Sequence, residues 1–235
     1  MLIGILQTGH APDDLSGEAG DYPSMFMRLL GGRGFDFRTW SVVDMEFPAA
    51  VTAADAWLLT GSRHGAYEDL PFIAPLEAFI RDAWARGVPL VGICFGHQII
   101  AQALGGRVEK FAGGWSVGPT DYRFGDRTLV LNAWHQDQVV ALPPGAEVVA
   151  TAPGCAVAAL AYGDRAFTVQ AHPEFDDAFL DGLMRLRGRA VPPDRLAAAR
   201  ARLGTPLDGA AIADRIAAFL RRPRPARAIA AAVEA

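Results

Sequence analysis

The sequence predicts an α/β fold: an open, mostly parallel sheet with helices on both faces and a small antiparallel annex. Three observations carry this prediction. Val88 to Ile93 is short, rich in β-branched residues and free of charge, as expected of a strand buried on both faces. The period then becomes helical, with Phe95, Ile99, Ala103 and Leu104 recurring before Gly105-Gly106 supplies a stop. Beyond residue 106 the chain breaks into short alternating runs separated by Gly and Pro, the pattern of hairpins.

A chain of 235 residues is comfortable for one sizeable core. With 51% hydrophobic and 20% charged residues it is ordinary globular material, and a net charge of -4 gives no reason to expect nucleic acid or an anionic membrane as partner. Lys110 is the single lysine beside 21 arginines, which reads as compositional bias. Two cysteines do not make a disulfide framework, no signal peptide precedes the strand-like start, and no apolar run has the length of a membrane span. A reducing, cytoplasmic setting is the expectation.

In order, residues 2–7 read as the first strand and 8–24 as a polar loop. A helix runs from about Pro23 to Leu30 and stops at Gly31-Gly32, followed by a strand from Phe35 to Val42 and another from Asp55 to Leu59. The loop from Ser62 to Leu70 leaves the carboxyl end of that last strand, where open α/β sheets bind ligands. Residues 74–86 form an amphipathic helix with Leu76, Phe79, Ile80, Ala83 and Trp84 on one face. The annex is built from runs at 107–111, 115–124, 128–131, 147–151 and 156–162. A strand from Phe167 to Ala171 follows, then helices at 175–187, about 193–203 and about 207–221. The basic run from Arg221 to Arg227 is broken by prolines, and the alanine-rich end carries no readable pattern.

Cys94 sits where the Val88–Ile93 strand turns abruptly into a helix, between Gly92 and Gly96, which let two backbones pass closely. A helix N-terminus favours anions. It therefore supports the thiolate and leaves the Phe95 N–H available to a negative oxygen developing on an attacked carbonyl. A thiolate nucleophile needs a base, and the base needs orienting. His172 and Glu174 supply both at the end of the Phe167 strand: if residues 172–174 stay extended, the period of two puts the two side chains on the same side. His64 is a rival imidazole without a carboxylate at strand spacing. Cys155, with neither a helix N-terminus nor an imidazole beside it, reads as structural.

Gly92-Ile93-Cys94-Phe95-Gly96-His97-Gln98 and Gln170-Ala171-His172-Pro173-Glu174-Phe175 together resemble the nucleophile and His-x-Glu motifs of class I glutamine amidotransferases, most closely the freestanding GMP-synthase-like branch. Thr60 to Glu68 and Trp134 to Val139 also find counterparts there. The resemblance covers about residues 1–188, which it marks as the amidotransferase domain; residues 189–235 are then a C-terminal helical extension packed on it. A flavodoxin-like scaffold is implied. So is a triad of Cys94, His172 and Glu174, with an oxyanion hole from the Phe95 N–H and from Gly61 or Ser62.

His135, Gln136 and Asp137 match a segment whose backbone holds the amino-acid end of glutamine, although His135 could instead only orient its loop; Gln98 matches the position one turn into the elbow helix that touches the substrate. Two positions depart from the family pattern. Ser62 stands where a second glycine is common, so any positive φ there is costly and the hole is expected to form only with substrate; Gln136 also replaces a frequent glycine.

The resemblance implies a glutaminase that attacks the γ-carbonyl of glutamine, passes through a cysteinyl thioester and releases ammonia, with no cofactor. No Gly-x-x-x-x-Gly-Lys-Ser/Thr loop, no Ser-Gly-Gly-x-Asp pyrophosphate loop and no metal-ligand spacing occur. An ammonia acceptor would be a separate synthetase or acceptor-domain protein. Two alternatives stand beside this reading: a freestanding γ-glutamyl peptide hydrolase with the same triad, and a non-enzymatic thiol sensor on a related scaffold.

Overall fold

A computed structural model describes residues 1–223; the end of the basic run and the alanine-rich terminus lie outside the described residues. The first half alternates as expected. Strands β1 (Leu2–Leu6), β2 (Asp36–Trp40), β3 (Ala56–Leu59) and β4 (Leu90–Ile93) are joined by helices α1 (Asp13–Ala19), α2 (Tyr22–Leu29) and α3 (Ile73–Ala85), and α4 (Phe95–Ala103) follows β4. The second half holds β5 (Arg107–Lys110), β6 (Ser116–Phe124), β7 (Arg127–His135), β8 (Asp137–Ala141), β9 (Glu147–Ala152), β10 (Cys155–Tyr162) and β11 (Ala166–Val169). It closes with α5 (Asp177–Arg187), α6 (Pro193–Ala201) and α7 (Gly209–Leu220).

Nine strands form one sheet in the order β2-β1-β3-β4-β11-β10-β9-β6-β7. From β2 to β11 every pairing is parallel, and from β11 to β7 every pairing is antiparallel. The annex is therefore smaller than its strands suggested. Four of them extend the main sheet, because β10 turns back on β11 and takes up the backbone groups of what would otherwise be an edge; only β5 and β8 form a separate two-stranded sheet.

Alternation along the parallel strands sorts the core into two layers. Ile3, Ile5, Leu58, Val91, Ile93 and Val169 pack with Phe26 of α2 and with Ile212, Ile216 and Phe219 of α7. Leu6, Trp57, Leu59 and Leu90 pack with Leu76 and Ile80 of α3 and with Phe95 and Ile99 of α4. Cys94 and the β11 end are thus held between two covered faces.

Three differences from the sequence reading bear on the site. Helix α1 occupies part of the expected loop 8–24, and a short 3-10 turn over residues 42–44 ends the region of β2. Trp134 to Val139 is not a loop: β7 runs on to His135 and β8 starts at Asp137, so Gln136 is the single residue between two strands. Pro173 and Glu174 form a turn rather than extended chain.

Candidate active site

The elbow at Cys94 is forced by backbone proximity. Its N–H donates to Val169 O of β11 at 2.9 Å, and its carbonyl accepts from Gln98 N at 3.1 Å, so the residue ends the sheet and opens α4 at once. It adopts φ 53°, ψ -102°, a left-handed strain unusual for a side chain with a Cβ. The flanking glycines are required by space: a Cβ on Gly92 would stand 2.4 Å from Gly96 O, and one on Gly96 would stand 2.4 Å from Leu59 O.

His172 is anchored past the end of β11, where its N–H donates to Asn132 O at 2.8 Å. The turn through Pro173 folds Glu174 back, so Glu174 Oε1 lies 2.7 Å from His172 Nδ1 without the extended conformation. Both side chains are buried, that of Glu174 completely. The Phe175 ring stacks on the imidazole, centroids 4.0 Å apart and planes 4° off parallel. The Cys94 side chain lies beside the same ring, both standing against Gly61. Burial disfavours the charged imidazole, but the negative charges of Glu174 and Cys94 and their hydrogen bonds outweigh it, pushing His172 up to about 10.

Gly61 sits against this pair. An added Cβ would lie 2.9 Å from His172 Cε1 and 3.8 Å from Cys94 Cβ. Its carbonyl accepts from the Thr8 and Thr60 hydroxyls, each at 3.1 Å, and is thereby turned toward β1 and β3. Ser62 follows without positive φ; among non-glycine described residues only Met45 and Cys94 have it, so the strain expected at Ser62 is absent. The Ser62 hydroxyl instead accepts from His64 N at 3.2 Å.

The remaining sequence candidates gather around a cavity of about 320 Å³ that Cys94 and His172 line together with Ser62, Gln98, His135, Gln136 and Asp137. Phe95, Gly61 and Glu174 stand behind its wall. The amide nitrogen of Gln98 donates to Asp137 O at 2.8 Å and to Gln170 Oε1 at 3.1 Å, which leaves its carbonyl oxygen for a ligand. Burial, reinforced by the charge of His172, pulls His135 down to about 3, so it is a neutral imidazole. Asp137 accepts from Tyr67 Oη at 3.2 Å, and burial raises its carboxyl.

His64 does have a carboxylate close by, Glu68 Oε2 at 3.4 Å, one helical turn along rather than at strand spacing. Cys155 is buried in β10, and desolvation pushes its thiol up to about 12. Tyr22, Lys110, Trp115, Trp134 and Arg187 also line the cavity. Sequence reading missed them because they come from five separate elements or loops; only Trp134 lay in a segment singled out there. No group of three His, Cys, Asp or Glu able to hold a metal occurs among the described residues, and no helix there is long and apolar enough to cross a membrane.

A thiol on a strained elbow, an imidazole between it and a buried carboxylate, and glycine-lined backbone opposite can perform acyl transfer through a thioester. Residues 42–179 match the family model for glutamine amidotransferase class-I. The chain belongs to the class I glutamine amidotransferase family. It is a Cys-His-Glu triad amidohydrolase.

A glutamine amidotransferase-like protein of Schizosaccharomyces pombe is 28% identical over 212 residues, 80% of this chain and 86% of that protein. Gamma-glutamyl peptidase 4 of Arabidopsis thaliana is 32% identical over 174 residues, 67% of this chain and 69% of the relative. The glutamine-hydrolyzing GMP synthase of Thermus thermophilus is 35% identical over 170 residues, 66% of this chain but 32% of that longer enzyme. Among solved structures, a glutamine amidotransferase from Methylobacillus flagellatus superposes with a TM-score of 0.73 at 21% identity, covering 94% of this chain and 93% of the other, a likeness of fold.

Proposed function

We propose that Cys94, His172 and Glu174 hydrolyse the γ-amide of glutamine or of a γ-glutamyl compound through a cysteinyl thioester. The observation that carries this is the buried His172 imidazole, set between Glu174 Oε1, 2.7 Å from its Nδ1, and the Cys94 side chain. The thiolate adds to the γ-carbonyl carbon, and the oxyanion rests on the Phe95 N–H and on a second donor. Because the Gly61 carbonyl is tied toward Thr8 and Thr60, the N–H across the same trans peptide, that of Ser62, faces the opposite way; Ser62 is the donor this geometry favours. His172 gives its proton to the leaving nitrogen as the C–N bond breaks. It then takes a proton from water, which cleaves the thioester and regenerates the thiolate.

His135, Gln136 and Asp137 hold the amino-acid end of the donor in this reading, Gln98 touches the substrate from the first turn of α4, and no cofactor enters any step. Residues 1–188 form the amidotransferase domain with the described part of the C-terminal extension, 189–223, packed on it; the setting is cytoplasmic, and ammonia from glutamine passes to a separate synthetase. A second reading, hydrolysis of γ-glutamyl peptides, is favoured by a cavity whose lining also includes Trp115, Trp134 and Arg187.

The test is glutamate release from glutamine and from γ-glutamyl dipeptides by purified chain without ATP. Cys94→Ala and His172→Ala should each abolish it, and the double variant should lose little more. Glu174→Gln should fall between about ten-fold and about 10⁴-fold below wild type. Undiminished turnover in Cys94→Ala would refute the mechanism.

A further inference from the structure

The proton for the leaving nitrogen comes from His172, so the leaving group must lie on the imidazole side of the thiol. That side is occupied by a wall of a particular kind. Phe175 stacks on His172, Tyr22 packs on Phe175 with ring centroids 6.0 Å apart, and Trp134 packs against the same cluster. Trp115 extends the wall, 5.7 Å from Trp134 between ring centroids. All of these rings line the cavity.

Beside these rings the cavity is also lined by Arg187, whose charge is felt by the Tyr22 phenol. As a cation in the last turn of α5, Arg187 has an ordinary structural role, complementing the helix dipole. Its neighbour in that turn, Arg185, shows what such a residue does on the outer surface: it pairs with Asp181 at 3.4 Å. Arg187 turns inward instead. Among the described residues it has no carboxylate within ion-pair distance; Glu174 pairs with His172 and Asp21 with His10. Ammonia needs neither an aromatic wall nor a guanidinium. An amine that carries an apolar side chain and a carboxylate needs both.

We propose that Arg187 binds the carboxylate of an amino-acid leaving group whose apolar side chain lies on Trp115 and Trp134, making γ-glutamyl-amino acids with apolar or aromatic side chains the substrate class of this site. The proposal rests on the hydrolytic reading above. In the reaction the γ-glutamyl C–N bond breaks, the amine nitrogen takes its proton from His172, and the free amino acid departs past Arg187 while the glutamyl group stays on Cys94 for water. Arg187 is thus a specificity residue that touches the substrate at a distance from the reacting atoms.

The decisive comparison uses γ-glutamyl-phenylalanine and γ-glutamyl-phenethylamide, which differ by the carboxylate. Wild type should favour the first in kcat/KM by at least about ten-fold, since a site built around a charge rejects the analogue lacking it. In Arg187→Gln that ratio should collapse to within about three-fold, and Arg187→Lys should recover part of it, because lysine keeps the charge without the planar fork. A wild-type ratio near one overturns the proposal without any variant, so a misfolded substitution cannot shelter it. A ratio unchanged in a folded Arg187→Gln, or turnover of glutamine and the phenethylamide but not of the dipeptide, overturns it as well. These results are distinct from failure of the hydrolytic reading, in which all three compounds would be inert or Cys94→Ala would still turn them over.

Discussion

The two cysteines are a controlled pair. Both are buried free thiols, but Cys94 lines the cavity beside a protonated imidazole, whereas Cys155 lies within β10 with desolvation holding its thiol at about 12. A glutamine-derived diazo-ketone should therefore alkylate Cys94 and spare Cys155 in the folded protein, which peptide mass mapping reads directly. Equal labelling would remove the distinction. This contrast was legible in sequence, because a cysteine between two glycines at a change of period has few structural uses. The His172–Glu174 contact was legible too, though for an incomplete reason. Period-two alternation pointed to the pair, while the chain achieves it with a turn that brings Glu174 back beneath the ring.

At the level of elements, the strained backbone of Cys94 makes a prediction that chemistry does not. An elbow at φ 53° is easier for glycine than for any residue with a Cβ. Cys94→Gly should thus be more stable than Cys94→Ala by about 1 kcal/mol, the relief of strain exceeding the added freedom of glycine in the unfolded chain. Thermal melts of the two variants check it; a less stable glycine variant would mean the angle costs little. The inner parallel strands β1, β3, β4 and β11 were readable because each is a short apolar run buried on both faces; β2, at the edge, is polar and half-exposed. Helix α1 was not, since Asp13-Asp14-Leu15-Ser16-Gly17-Glu18-Ala19 offers no periodic apolar stripe. The junction at Gln136 was missed for a related reason: polar residues with strand conformation give no local cue, and their pairing is decided by partners far along the chain, such as Ser116 opposite His135.

Across the whole molecule, the His172–Glu174 turn is braced by an element that follows it in sequence. A Cβ on Gly209, at the start of α7, would lie 2.4 Å from Pro173 O. Asp208 fixes that helix start to β7, with its N–H on Val130 O and its carboxylate on Val130 N, both at 2.8 Å. Gly209→Ala should push on the backbone between His172 and Glu174, lowering kcat along with roughly 1–3 kcal/mol of stability. Unchanged kcat at an unchanged melting temperature would show that the turn stands without this brace. The amphipathic pattern of α7 revealed that it covers the sheet; that its first residue abuts the His172–Glu174 turn depends on a close approach no periodicity encodes.

The near-parallel stack of Phe175 on His172 also gives this imidazole a private spectroscopic address. Protons lying over an aromatic face are shielded by its ring current, so the carbon-bound protons of His172 should resonate upfield of those of the other four histidines, and Phe175→Leu should return them. His97 and His135, each pulled down to about 3 by burial, stay neutral and silent through the neutral range. His172 should instead titrate near 10, and at a lower pH in Cys94→Ala, where one of the two negative charges that hold its proton is gone. Because its folded value lies above the ordinary 6.5, the ionised cluster stabilises the fold fully below that pH and loses its contribution as pH rises toward about 10. A single shielded resonance, followed through an alkaline titration, would thus report the charge state of the thiol–imidazole pair without substrate, inhibitor or label.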